Sequence, residues 1–316
     1  MKTNFVATPT TLLLLHCTPR IDKMSIMLTD THCHFSYLGE RGFDLSSILE
    51  AAADEDFRLI IDAGTKSDDL PARRALVADA LNAINNAEKR AAASKIIKYT
   101  AGIWPDPAAI ANRENECRAL EKVIAESLTS QEPICALGEC GLDHHWNPSG
   151  ADNRSETDFS PEILHGEAEL FEMQIELARR YSLPVMVHSR DAFEGTLAAI
   201  KNCGYDNGEI HCFSYGIDEA RAFLDRGWYI ALGGAVTYTK KSKLEEMQKL
   251  VCYIPSDRLL LETDAPYLAP VPERGKPNTP LLIKHTYAYI AQMRGETVES
   301  LAQTVWQNSV KLFNIE

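Results

Sequence analysis

Eight short apolar runs, separated by helical patterns, restrict the fold of this chain more than any other feature. They cover residues 25–32, 58–64, 96–103, 134–143, 184–190, 208–214, 228–236 and 259–268. The stretches between them include "LSSILEAAADED" (45–56) and "FEMQIELARRYS" (171–182), the latter with apolar residues at three- and four-residue steps. Strands that alternate with helices imply a parallel sheet. Eight such units in 316 residues predict an α/β fold, a single-domain (β/α)8 TIM barrel with some distortion, spanning residues 25–316. An open doubly wound sheet is the alternative, but no Gly-rich phosphate loop follows the first strand. A composition that is 45% hydrophobic supplies a large core, whether for one domain or two.

Polar residues gather where these runs end. "TDTHCHF" (29–35) sets Asp30, His32 and His34 in alternation. On a helix, residues two apart diverge; on a strand they share a face, so the two imidazoles can meet one ion. The fourth run ends in Glu139 and Asp143, the fifth in His188, the sixth in His211 and the eighth in Glu262 and Asp264. In a barrel all C-terminal strand ends open onto one face, where active sites form. A lone buried histidine is usually a hydrogen-bonded core residue. Ligand-type residues at the ends of five strands instead predict a metal centre.

The motifs "DTHCH", "LGECGLD", "PVMVHSR", "HCFS" and "LETDAPYLAP", followed by "RGKPN", occur in that order. With them the chain resembles the TatD family of metal-dependent deoxyribonucleases, within the amidohydrolase-like barrels, from about Leu28 to the C-terminus. The resemblance implies one divalent ion held by His32, His34, Glu139 and Asp264. It implies a second held by Glu139, His188 and His211, with Glu139 bridging. Imidazole and carboxylate suit zinc, manganese or magnesium without selecting among them. By the same resemblance Asp264 both binds metal and takes the proton from the attacking water, or serves as ligand only. Asp30 and Asp143 are expected to orient histidines from behind. Arg274 and Lys276 in "ERGKPN", and Arg190 two residues after His188, are candidate phosphate contacts, or ordinary loop ion pairs.

Three departures from the family pattern bear on substrate. The usual "GxHP" reads "GIWP", placing Trp104 where the family has histidine; tryptophan cannot ligate a metal but can stack on a base or cap the barrel. Tyr215 is interposed in "HCFSYG". Residues 147–161 lengthen the loop after the fourth strand with polar, turn-forming residues.

Net charge of −13 argues against a broad basic nucleic-acid surface, so an anionic substrate must be met locally. No apolar run approaches the roughly 20 residues of a membrane span. Eight cysteines without CxxC spacing read as reduced thiols of a cytoplasmic protein. Residues 1–24 read as a disordered extension or an upstream start, because "LLLL" is short for a signal core and no small-residue cleavage site follows. The leading expectation is a 3′–5′ exonuclease acting on single-stranded DNA ends, monomeric and without a membrane. The alternatives are a metal hydrolase of another ester or amide, such as a D-aminoacyl-tRNA deacylase, and a non-catalytic barrel. A complete ligand set argues against the last.

Overall fold

The computed structural model describes residues 27–145 and 155–315. The N-terminal extension and most of the 147–161 insertion therefore lie outside the described residues.

Eight parallel strands follow one another around a single sheet: β1 (Thr29–Cys33), β2 (Leu59–Asp62), β3 (Ile97–Ala101), β4 (Ala136–Asp143), β5 (Val185–Arg190), β6 (Gly208–Ile210), β7 (Tyr229–Leu232) and β8 (Leu259–Leu261). The chain closes through residues just past β8. His34 N donates to the Ala265 carbonyl at 2.8 Å, Asp264 N donates to the His32 carbonyl at 2.9 Å, and a single bridge joins Cys33 to Ala265. The result is the expected single-domain barrel, nearly closed and loosest at its seam. The strands are shorter than the apolar runs; His34, His211, Glu262 and Asp264 lie just beyond their strands rather than inside them.

Local sequence fixes the helices between strands. Asp44 accepts hydrogen bonds from Ser46 N and Ser47 N and starts the helix Leu45–Asp54. Ser160 caps the helix Pro161–Tyr181, which Pro161 opens and Ser182 ends in a left-handed turn. That helix begins ten residues before the periodic stretch at 171, and the one-turn helix Glu156–Phe159 precedes it. The described part of the insertion is thus a helical lead-in rather than an open loop.

Side chains facing the lumen change character with height. Leu59, Ile61, Ala63, Met186, Tyr229, Ala231 and Leu260 form a buried inner cluster with Leu312, Phe313 and Ile315 from the C-terminal end. Burying each large aliphatic stabilises by about 1.5–3 kcal/mol. The helix Val298–Phe313 thereby seals the floor, and Asn308 anchors it by donating to the Leu259 carbonyl at 2.8 Å. Two residues further along the same strand faces stand His188, above Met186, and Glu262, above Leu260.

β4 departs from strict alternation. Leu137, Cys140 and Leu142 all join the outer core between strands and helices, and the pairing with β5 shifts between Leu137 and Cys140. The shift moves Glu139, rather than Gly138, onto the lumen face. The close approach of β5 permits no side chain at two positions. A Cβ on Gly138 would lie 2.6 Å from the Met186 Cβ, and one on Gly141 would lie 1.9 Å from the His188 carbonyl oxygen.

Arg73 holds the rim at β2 and β3. It is buried, contacts Asp62 Oδ2 at 2.8 Å and Asp69 Oδ1 at 2.9 Å, and donates to the Thr100 carbonyl at 2.6 Å. Asp62 in turn accepts from Phe35 N at 2.8 Å. Replacing Arg73 by methionine leaves Asp62 buried and uncompensated. It should lower unfolding free energy by about 3–5 kcal/mol, read from denaturant melts. A change below about 0.5 kcal/mol would show the pair to be structurally idle.

Candidate metal centre

At the C-terminal mouth of the barrel, His32 Nε2 and His34 Nε2 lie 3.1 Å apart. Glu139 Oε2 is 3.3 Å from the first and 3.4 Å from the second. Asp264 Oδ1 is 3.9 Å from His32 Nε2 and 3.5 Å from His34 Nε2. On the other side of the same carboxylate, Glu139 Oε1 lies 3.0 Å from His188 Nδ1 and 3.2 Å from His211 Nε2. His188 Nδ1 and His211 Nε2 are 3.1 Å apart. Donor atoms about 2.0–2.1 Å from a tetrahedral cation stand about 3.4 Å from one another, so both sets have the spacing of ligands around an ion. Their chemistry fits too, since neutral imidazole and carboxylate are zinc, manganese and magnesium donors. The six expected ligands are therefore brought together, one Glu139 oxygen facing each set.

The surroundings fix these donors. His34 Nδ1 lies 3.2 Å from the Ala63 carbonyl; donating there leaves Nε2 free to ligate. His188 Nε2 contacts Asp143 Oδ2 at 3.1 Å, which turns Nδ1 toward Glu139. Asp143 thus lies where it can orient the His188 ring. Asp30 works differently: it accepts from His32 N at 3.2 Å and from Thr263 N at 2.9 Å, joining β1 to the β8 loop, and does not reach the His32 ring. Burial pushes the Asp30 carboxyl up to about 8 despite the Thr263 hydrogen bonds.

The charges at the mouth are strongly coupled. Burial alone would raise the Glu139 carboxyl, but His211, His188 and His32 outweigh it and hold the group well below the ordinary carboxylate range. Burial likewise opposes ionisation of Asp264, and the histidines beside it win, lowering it. Burial lowers His34, yet Asp264 and Glu139 raise it to about 10. Concentrated negative charge thus draws a proton onto an imidazole, and a divalent cation would take that proton's place.

The expected substrate contacts fall on two sides of the mouth. Arg190 is exposed at the end of β5 and forms no ion pair among the described residues. Arg274 lies over the Tyr238 ring, 4.2 Å from its centroid, and Lys276 is held by Glu273 at 2.6 Å. Both line an open cleft of about 470 Å³ with Arg41 and Tyr267. Arg41 stacks on Tyr267 at 4.7 Å, and the Tyr267 ring lies 6.5 Å from His34. Trp104 meets His188 edge to face at 5.9 Å, so it walls the site. Tyr215 stands back from the centre and braces the loops, its hydroxyl 2.8 Å from Ser189 Oγ and 3.1 Å from Ala192 N. Sequence reasoning missed Arg41 and Tyr267. Tyr267, three residues after Asp264 in "DAPYL", was the available signal for the second.

The family model for TatD related DNase matches residues 29–314. An uncharacterized metal-dependent hydrolase, YcfH of Escherichia coli K12, is 32% identical over 92% of this chain and 97% of its own length. A 3'-5' ssDNA/RNA exonuclease, TatD of Erwinia billingiae, is 33% identical over 74% of this chain and 85% of its own. Among solved structures, the TatD homolog YJJV of Escherichia coli K12 superposes with a TM-score of 0.72 at 25% identity, covering 93% of this chain and all of that one. No helix among the described residues is long and apolar enough to cross a membrane.

Removing the shared carboxylate should cost both sets of donors. Glu139→Ala is expected to reduce bound zinc or manganese, by metal analysis, to well under half the wild-type content, whereas His34→Ala leaves the Glu139, His188 and His211 set intact. Equal metal content in Glu139→Ala and wild type would remove Glu139 from the bridging position.

Proposed function

We propose that this chain, which belongs to the TatD related DNase family, hydrolyses phosphodiester bonds at single-stranded DNA ends in the 3′–5′ direction with two divalent cations. The observation that carries this reading is Glu139, whose two oxygens face separate donor sets. The Erwinia relative, named as a single-strand exonuclease, supports the substrate class. When bound, paired cations stabilise the attacking and leaving oxygens of a phosphoryl displacement and ease deprotonation of water.

The chain's own groups do the rest. Asp264 is the more accessible carboxylate, its side chain 15% exposed against 6% for Glu139. Held ionised by the histidines, it accepts the proton of the attacking water at Oδ2, the oxygen not turned toward His32 and His34. His34 keeps Nε2 unprotonated toward the centre through its contact with the Ala63 carbonyl once the cation is in place. Asp143 holds His188 against rotation. Arg274 on one lip and Arg190 on the other meet the flanking phosphates, with Lys276 contributing when it leaves Glu273. Trp104 supplies an aromatic face for the terminal base. With a net charge of −13 over the whole chain, only a few phosphates are gripped, which suits a strand end better than a long duplex.

A panel of single-stranded oligonucleotides, carboxylic esters and D-aminoacyl-tRNA, assayed with zinc, manganese or magnesium and with EDTA, tests the reading. The expected result is oligonucleotide shortening from the 3′ end that EDTA abolishes. Cleavage of the aminoacyl ester alone would replace the nuclease with a deacylase, and no turnover of any substrate would leave a non-catalytic barrel. Trp104→Ala should slow oligonucleotide hydrolysis about tenfold while sparing a minimal phosphodiester. Equal losses on both, with a lower melting temperature, would make Trp104 a packing residue.

A further inference from the structure

Below the candidate metal centre, five buried polar atoms have no hydrogen-bond partner among the described residues: His32 Nδ1, His211 Nδ1, Glu262 Oε2 and both carboxylate oxygens of Glu209. Glu209 is fully buried in β6, two residues before His211, so the two side chains share the lumen face. Its partners in register are Met186 on β5 and Tyr229 on β7, both members of the apolar inner cluster. An acid in that layer is costly unless something satisfies it. Glu262 and His211 are close enough for their charges to be felt at Glu209.

The unpartnered atoms complement one another. The His32 and His211 rings are stacked, 4.1 Å between centroids and 9° from parallel. Each turns Nε2 up toward Glu139, so Nδ1 points down and away from the mouth. A histidine that ligates through Nε2 carries its proton on Nδ1, and that N–H needs an acceptor. His211 Nδ1 stands 3.5 Å from Glu262 Oε1, beyond a good hydrogen bond, and that oxygen already accepts from Cys212 N at 2.6 Å. One donor atom from each of His32, His211 and Glu262 lies within 4.8 Å of the others. Two imidazole nitrogens that would carry protons and three carboxylate oxygens in this part of the lumen therefore lack hydrogen-bond partners among the described residues. A buried water that accepts an N–H and donates to carboxylates satisfies such a set.

We propose that the barrel encloses a water-binding site beneath the metal centre, floored by Glu209 and Glu262, which fixes the Nδ1–H protons of His32 and His211 and so positions their Nε2 atoms. Glu209 is then a positioning residue acting on one histidine of each donor set. This rests on the two-cation reading above.

The test is zinc affinity of the full-length protein, by competition with a chromophoric chelator, for wild type, Glu209→Gln and Glu209→Val. Valine removes the acceptor and should weaken zinc binding about 10–100-fold, while the melting temperature of the metal-free protein stays level or rises, because a buried acid has been removed. Glutamine keeps an acceptor and should retain affinity within a few-fold. Unchanged affinity in Glu209→Val overturns the proposal, as does a lowered metal-free melting temperature, which would make Glu209 a structural partner. Should the valine variant not fold, a high-resolution structure of zinc-loaded wild type decides: ordered water between Glu209 and the two Nδ1 atoms supports the site, and a dry gap or a ligated cation there overturns it. Failure of wild type to bind zinc, manganese or magnesium at all would fell the metal-centre reading itself, and this one with it.

Discussion

Glu139 carries its charge between the ring nitrogens of His32, His34, His188 and His211, and the rest of the mouth is arranged around that contact. A buried carboxylate among four imidazoles survives only if its environment returns what desolvation removes, which the histidines do. Its placement rests in turn on a backbone irregularity. Without the register shift in β4, alternation would point Glu139 outward among the helices. Gly138 and Gly141 let β5 come close enough to set His188 beside it. Packing of two strands and the chemistry of the site are thus one constraint.

The lumen uses the period of a strand as a vertical address. Apolar residues at the floor give way, two positions later, to polar side chains, as Met186 does to His188 and Leu260 to Glu262. The lower layer stiffens the barrel and the upper layer inherits that stiffness, so candidate ligand atoms from distant strands can hold spacings of 3.0–3.9 Å within each set. Glu209 is the exception, an acid at floor height.

Much of this was legible in the sequence, for physical reasons. Strands buried on both faces read as apolar runs, so eight of them were countable. His32 and His34 announced themselves because alternation is a strand property, and their Nε2 atoms do meet. Boundaries were less legible: β6 stops at Ile210 and leaves His211 in the turn that follows. Asp30 sits at the same two-residue spacing as the candidate ligands His32 and His34, yet it is used by the seam and not by a ring, and spacing does not separate the two uses. Arg41 and Arg73 act across more than one element, and no local pattern marks such contacts.

The seam has a temporal side. His32 and Asp264 belong to one candidate donor set but come from the first strand and from just past the last, joined where Asp264 N meets the His32 carbonyl. The floor is sealed by Leu312, Phe313 and Ile315, which follow all eight strands in the chain. Contacts of such long sequence separation form late, because the loop entropy they cost is met only after most of the sheet has assembled. A nascent chain therefore holds His188, His211 and Glu139 before it holds Asp264. In that interval it lacks Asp264 at the candidate centre and leaves the apolar floor open, a state that invites misassembly in proteins of this size.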